Sequence, residues 1–230
     1  MVRGGEIARE ERAATARERA ATYWLLSRLV HEAPGRALLD ELQAALSESR
    51  LEEEGAPLVA EVLELMVAVD AARSGIPAEI DLRAEHARLW GGISETYGPP
   101  PPFESVIREN RLPGGASAAV AAAYEAAGLD AQLDDAGPAD HLASELRFMA
   151  LCAMREAEAW SGAREAEALE WQDRQREFLD GHVLAWVPAH CSKVADMAKT
   201  EYHRAVANLV AGACRIEERT RAGAMPACPA

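Results

Sequence analysis

Four consecutive prolines, Pro99 to Pro102, interrupt a chain that otherwise favours helix, and they set the strongest limit on its fold. A proline donates no N–H and holds φ at about −65°, so four together cannot lie inside a helix or a central strand. They favour an extended polyproline II segment. The chain therefore reads as two helical halves joined by a stiff crossing. Tyr97 and Phe103 stand at the ends of that crossing, where aromatic rings can wall a groove or flank a hinge.

Outside the crossing, alanine, leucine, glutamate and arginine dominate, aromatic residues are 5% and β-branched runs are scarce. Strands have little to be made from, whereas these residues are good helix formers. Apolar spacing predicts helices over 6–31 (Tyr23, Leu26, Leu29, Val30), 36–48 (Leu38, Leu39, Leu42, Leu46), 56–73 (Leu58, Val62, Leu65, Met66, Val69) and 78–91. After the prolines come a short helix over 116–127 closed by Gly128, and one opening at Pro138 and reaching Trp160. A further helix over 163–187 carries Ala168, Trp171, Gln175, Phe178, Leu179, His182 and Trp186 and is expected to stop at Pro188; the last covers 190–213. The fold class is all-α, a single-domain bundle over residues 1–216, with 217–230 expected as a disordered tail.

The net charge of −14 argues against a nucleic-acid binder. Residues 37–160 hold 8 arginines against 23 acids, which would steer a basic ligand toward the middle of the chain or simply keep it soluble. The first twenty residues are charged throughout and show no signal-peptide core, and no apolar run is long enough to span a bilayer, so a cytoplasmic protein is expected. Cys152, Cys191, Cys214 and Cys228 are far apart, as reduced thiols would be.

Polar chemistry concentrates in Pro138-Ala139-Asp140-His141-Leu142-Ala143-Ser144-Glu145-Leu146-Arg147-Phe148-Met149. Asp140 is expected in the first turn, where the helix dipole favours an anion, and His141 and Glu145 are one turn apart. The three can be read as a metal or acid–base site of a helical enzyme, or as ordinary helix-start chemistry. A di-iron bundle needs Glu-x-x-His on two helices, and the sequence has none. His182 lies on the aromatic stripe, and His190 and Cys191 follow Pro188, so no metal is assigned. No Walker A or Gly-x-Ser-x-Gly pattern occurs, and no cofactor is expected.

Several segments in order resemble the TorD/DmsD/NarJ type of redox-enzyme maturation chaperone. They are Glu85-His86-Ala87-Arg88-Leu89-Trp90-Gly91, Pro102-Phe103-Glu104-Ser105-Val106, Tyr124 with Gly128-Leu129, the Pro138 to Met149 stretch, and Gln175, Phe178, Leu179, His182, Trp186 and Pro188. The resemblance implies a TorD-like all-helical chaperone that is not an enzyme. Its partner would be the precursor of a molybdenum-cofactor oxidoreductase, held by its twin-arginine leader until cofactor insertion and assembly are complete, before export. The chaperone would act as a monomer or dimer, with no stable membrane insertion. By position it points to Trp90, Phe103, Glu104, Ser105, Asp140 and His141 as leader-binding residues, with Tyr97 and Glu145 beside them. Leu89 and Leu142 are expected to line the same groove. Two positions depart from the family pattern: Gly137 stands where a glutamate is usual before the proline, and Phe103 replaces a tyrosine. A scaffold that binds folded partners through its acidic face is the blander alternative.

Overall fold

The computed structural model describes residues 2–48, 58–75, 78–91, 97–129 and 138–224. Among them the secondary structure is helical, with α1 Val2–His31, α2 Arg36–Glu48, α3 Val59–Arg73, α4 Glu79–Trp90, α5 Glu104–Glu109, α6 Gly115–Ala126, α7 Leu142–Ser161, α8 Glu165–Phe178, a π turn Leu179–Val183, α9 Leu184–Met197 and α10 Glu201–Ala224. The all-α expectation holds, and the described residues contain no strand. The acidic stretch 130–137, Gly137 included, and the terminal 225–230, with Cys228, lie outside the described residues.

Packing divides the chain into two compact units, one made of Met1–His31 and Phe103–Ala185, the other of Glu32–Pro102 and Trp186–Ala230. The end of the proline run is thus a real boundary, but α1 joins the residues that follow the crossing. In the first unit α1 and α7 lie antiparallel: Ser27 Oγ donates to the Ala143 carbonyl at 2.7 Å at one end, and Arg17 donates to Ser161 Oγ at 3.1 Å at the other. Ala13, Ala16, Ala20, Tyr23, Leu26 and Leu29 of α1 are buried, as are Leu142, Leu146, Met149, Cys152, Ala153 and Trp160 of α7. Small alanines on one helix facing larger residues on the other let the two axes come close and interdigitate.

Glu156 of α7 sits within this interior at 1% exposure. It accepts from Arg19, from Trp160 Nε1 at 3.2 Å, from Gln172 at 2.6 Å and from Gln175 at 2.8 Å, so one carboxylate ties α1, α7 and α8 together. In the second unit the core is built from Leu38, Leu39, Leu42 and Leu46 of α2, Leu65 and Val69 of α3, Leu82 and Leu89 of α4, and Tyr202, Val206 and Val210 of α10. The leucine and valine stripes legible in the sequence supply much of both interiors.

Three helix boundaries differ from the sequence reading. Pro138 does not open a helix: Pro138 to Asp140 form a turn, and α7 begins at Leu142 with His141 as its N-cap. Pro188 does not end one either, because it lies inside α9. An interior proline costs about 3 kcal/mol, but Trp186, Val187, Cys191 and Val194 around it are buried, each contributing about 1.5–3 kcal/mol. The chain breaks instead at Ala198 to Thr200, and α10 then continues to Ala224, past the expected start of the tail at Glu217. Glu104 and Ser105 also begin a short helix, α5, where the proline run alone predicts extended chain.

Candidate functional site

In the first unit, two motif segments far apart in sequence meet. Phe103 pairs with His141 in a single antiparallel bridge, and the Glu104 N–H donates to the Asp140 carbonyl at 2.9 Å. The Asp140 carboxylate accepts from the Ser105 N–H at 3.1 Å. α5 has no cap from its own N-cap residue Phe103, so Asp140 supplies one from the other segment. His141 in turn caps α7, its Nδ1 accepting from the Ala143 N–H at 3.1 Å, while its ring meets Phe103 edge-on with centroids 5.1 Å apart. This pull into extended backbone, with His141 at ψ 139°, is why the helix starts four residues after Pro138.

Glu104 is fully buried. It accepts from Arg108 on the next turn and lies 2.8 Å from Nδ1 of His182 in the π turn. Arg108 also donates to the Gly181 carbonyl at 2.9 Å, so two contacts dock α5 on the π turn. Ser105 is buried as well, its Oγ 3.2 Å from Ser117 Oγ. A Cβ at Gly114 would come within 2.8 Å of the Ser105 Cβ, so the turn before α6 requires glycine to pass. Glu109 closes that turn by accepting from the N–H groups of Ala116 and Gly115, which hold its carboxyl below the ordinary range.

Behind the junction lies an aromatic layer. Tyr124 packs with tilted rings on Phe148 at a centroid distance of 4.7 Å, Phe148 on Phe178 at 4.5 Å, and Phe178 on His182 at 4.8 Å. Tyr124 donates its hydroxyl to the Ala139 carbonyl at 2.8 Å. Burial, then the nearby carboxylates of Glu145 and Asp140, push its phenol well above the ordinary value, so it stays a neutral donor. A cavity of about 220 Å³ opens beside this layer, lined by Ala123, Ala126, Phe148, Arg174, Glu177, Phe178 and His182.

The sequence-predicted residues thus fall into three groups. Phe103, Glu104, Ser105, Asp140 and His141 form one junction. Glu145 is fully buried one turn into α7. Trp90 and Tyr97 belong to the second unit. There Trp90 is 3% exposed and its ring lies 6.1 Å from that of His190. Leu89 and Leu142 are fully buried too. The expectation that Leu89, Trp90 and Leu142 line an open groove is corrected: each is spent on filling its own unit's interior. Asp140 and Glu104 are likewise engaged in internal hydrogen bonds, so their carboxylates organise backbone instead of presenting charge to solvent.

Tyr97 is 63% exposed, with Lys199 Nζ 5.7 Å from its ring centroid. Its carbonyl accepts from Arg88 at 3.1 Å. Arg88 also donates to both oxygens of Glu85, at 2.8 and 2.7 Å, and to the Met197 carbonyl at 2.7 Å, while Glu85 accepts from the Lys199 N–H at 2.7 Å. The Glu85 to Trp90 motif is therefore a buried clamp on the break between α9 and α10. Gly98 is needed beside it, since a Cβ there would lie 2.4 Å from the Arg88 carbonyl oxygen. Burial raises the Glu85 carboxyl, but the Arg88 and Lys199 hydrogen bonds outweigh it and leave the pKa below the ordinary value. Sequence reasoning missed this clamp and the Glu104–His182 contact; a lone glutamate three residues before an arginine was the only local signal.

His203, fully buried near His86, is pushed down to about 3, first by burial and then by His86. From the ordinary 6.5 down to about 3 the unfolded chain takes up a proton that the folded chain refuses. Its contribution to stability is thus complete above pH 6.5 and falls as pH drops through this window. Between about pH 7 and about pH 4.5 this should remove about 2–3 kcal/mol, read as a smaller urea midpoint, and His203→Gln should flatten that part of the pH profile.

Asp140, His141 and Glu104 are thus spent on joining segments within a helical fold. The family model for the nitrate reductase delta subunit matches residues 32–192, the greater part of the chain. The chain belongs to this NarJ/TorD-type family of redox-enzyme maturation chaperones, which are assembly factors and not enzymes. It is also 38% identical over 85 residues to the selenate reductase assembly chaperone protein of Thauera selenatis. That match covers 35% of this chain and less than half of the relative, 43%. Among the described residues no helix is long and apolar enough to cross a membrane.

Proposed function

We propose that this protein is a cytoplasmic assembly chaperone for the catalytic subunit of a molybdenum-cofactor oxidoreductase. It binds the subunit's twin-arginine leader and holds the precursor through cofactor insertion, before export. The observation that carries this reading is the meeting of the Phe103–Ser105 and Asp140–His141 segments in one hydrogen-bonded junction, in a chain of this family. In the proposed site Phe103 and His141, both partly exposed, touch the leader. Glu104, Ser105, Asp140 and Glu145 position them, and Trp90 supports its unit from within. The cavity beside Phe178 and His182 takes one apolar side chain.

Apolar anchors contribute about 1.5–3 kcal/mol each, and ordering a disordered leader removes about 2–5 kcal/mol. Four anchors at the favourable end leave close to the ~8 kcal/mol of a micromolar complex. Apolar contact holds the leader, and the acidic middle of the chain steers its arginines.

Calorimetry with the cognate leader peptide should give a dissociation constant of about a micromolar. Phe103→Ala should weaken binding by about tenfold or more while the helical circular-dichroism spectrum is kept. No heat of binding by the wild type at tens of micromolar rules leader recognition out. Capture of the client that survives deletion of its leader points to a scaffold instead.

A further inference from the structure

On the first unit, α1 and α7 carry the same pattern along one edge of their contact, with Ala20 and Ala150 buried at its base. Arg17, Ala20, Ala21 and Trp24 on α1 follow i, i+3, i+4, i+7, and so do Arg147, Ala150, Leu151 and Met154 on α7. Arg17, Ala20, Ala21, Trp24, Ala150, Leu151 and Met154 line an apolar groove of about 430 Å³. Because the two helices are antiparallel, the arginines fall at opposite ends, Arg17 beside Ser161 and Arg147 over the Trp24 ring at 5.1 Å. The alanines make a shallow floor, and Trp24 and Met154, each 44% exposed, form walls. Such a floor admits the apolar stripe of a helix.

The charge at the two ends identifies the occupant. Arg17 is ion-paired with Glu10 at 2.7 Å on an exposed edge. Arg147 has no carboxylate partner among the described residues, and its Nε is buried without a hydrogen bond. A guanidinium with no carboxylate partner among the described residues, at the end of an apolar groove, favours a carboxylate arriving with the ligand. The same charge opposes the arginines of a twin-arginine leader, so this surface stands apart from the proposed leader site.

We propose that the α1/α7 groove docks an acidic amphipathic helix of a partner protein, its apolar stripe on Ala20, Ala21, Ala150 and Leu151 between Trp24 and Met154. A carboxylate of that helix pairs with Arg147, and a second, about two turns away, lies at the Arg17 end.

Two synthetic helical peptides of roughly sixteen residues test it against the full-length protein by fluorescence anisotropy. Both carry one leucine stripe, flanked two turns apart by glutamates in the first and lysines in the second. The glutamate peptide should bind at about ten micromolar and at least about tenfold better than the lysine peptide. Arg147→Glu should reverse that preference, and Met154→Asp should abolish binding with an unchanged melting temperature. Equal binding of both peptides, binding of neither at about a hundred micromolar, or an unchanged preference in Arg147→Glu overturns the proposal. So does light scattering showing dimers that Met154→Asp dissociates, since the groove would then belong to a second copy. Neither peptide contains a twin-arginine segment, so these outcomes are independent of leader binding.

Discussion

Arg88→Ala is expected to destabilise the protein by about 3–5 kcal/mol, the range for removing one partner of a buried ion pair. Both side chains of the Arg88–Glu85 pair are almost wholly buried, at 5% and 6% exposure. The substitution strands the Glu85 carboxylate with only the Lys199 N–H, and leaves the Tyr97 and Met197 carbonyls without their donor. Urea unfolding followed by circular dichroism measures the loss. Arg88→Lys restores the charge but not the planar fork that reaches both Glu85 oxygens and two carbonyls, so it should recover only part of it. A wild-type midpoint for Arg88→Ala would show that the clamp contributes nothing net. Because the pair keeps the Glu85 carboxyl below its ordinary value, its contribution is complete at neutral pH and disappears as pH falls through that lowered value.

The corresponding substitution in the other unit is Glu156→Ala. It removes the acceptor of Arg19, Trp160, Gln172 and Gln175 at once, and the buried Trp160 and Gln175 donors have no water to replace it. A loss of about 3–5 kcal/mol is expected. Glu156→Gln keeps the shape and one acceptor oxygen while removing the charge opposite Arg19, so it separates hydrogen bonding from ion pairing and should cost less. If Glu156→Ala melts within a degree or so of wild type, the network is not what joins α1, α7 and α8.

Much of the architecture is legible from local pattern. The α2 span 36–48 coincides with the leucine stripe, and Gly128, with φ 65°, stops α6 where a left-handed residue is needed. These features depend on residues a few positions apart, where backbone geometry fixes the outcome. The misread boundaries at Pro138 and Pro188 have non-local causes. A bridge to Phe103 holds His141 extended after the Pro138–Asp140 turn, and burial around Trp186 outweighs a proline's cost.

The candidate site divides along the same line. Motif order along the chain identified Phe103, Glu104, Ser105, Asp140 and His141, and the structure joins all five. It did not reveal that the carboxylates face inward, that Glu104 finds His182 from the far end of the unit, or that Glu85 and Arg88 hold the break before α10. Trp90 and Leu89 read equally well as groove or core, because a periodic apolar position specifies a buried face without specifying what buries it.

By itself the sequence determined an all-helical chain cut by the Pro99–Pro102 crossing, since helix propensity and the lack of a proline N–H act residue by residue. Only the tertiary structure decided that α1 joins the residues beyond that crossing, and which polar side chains are spent on one another. Hydrogen bonds and burial link positions through space, and a buried carboxylate takes whichever donors the packing brings within reach.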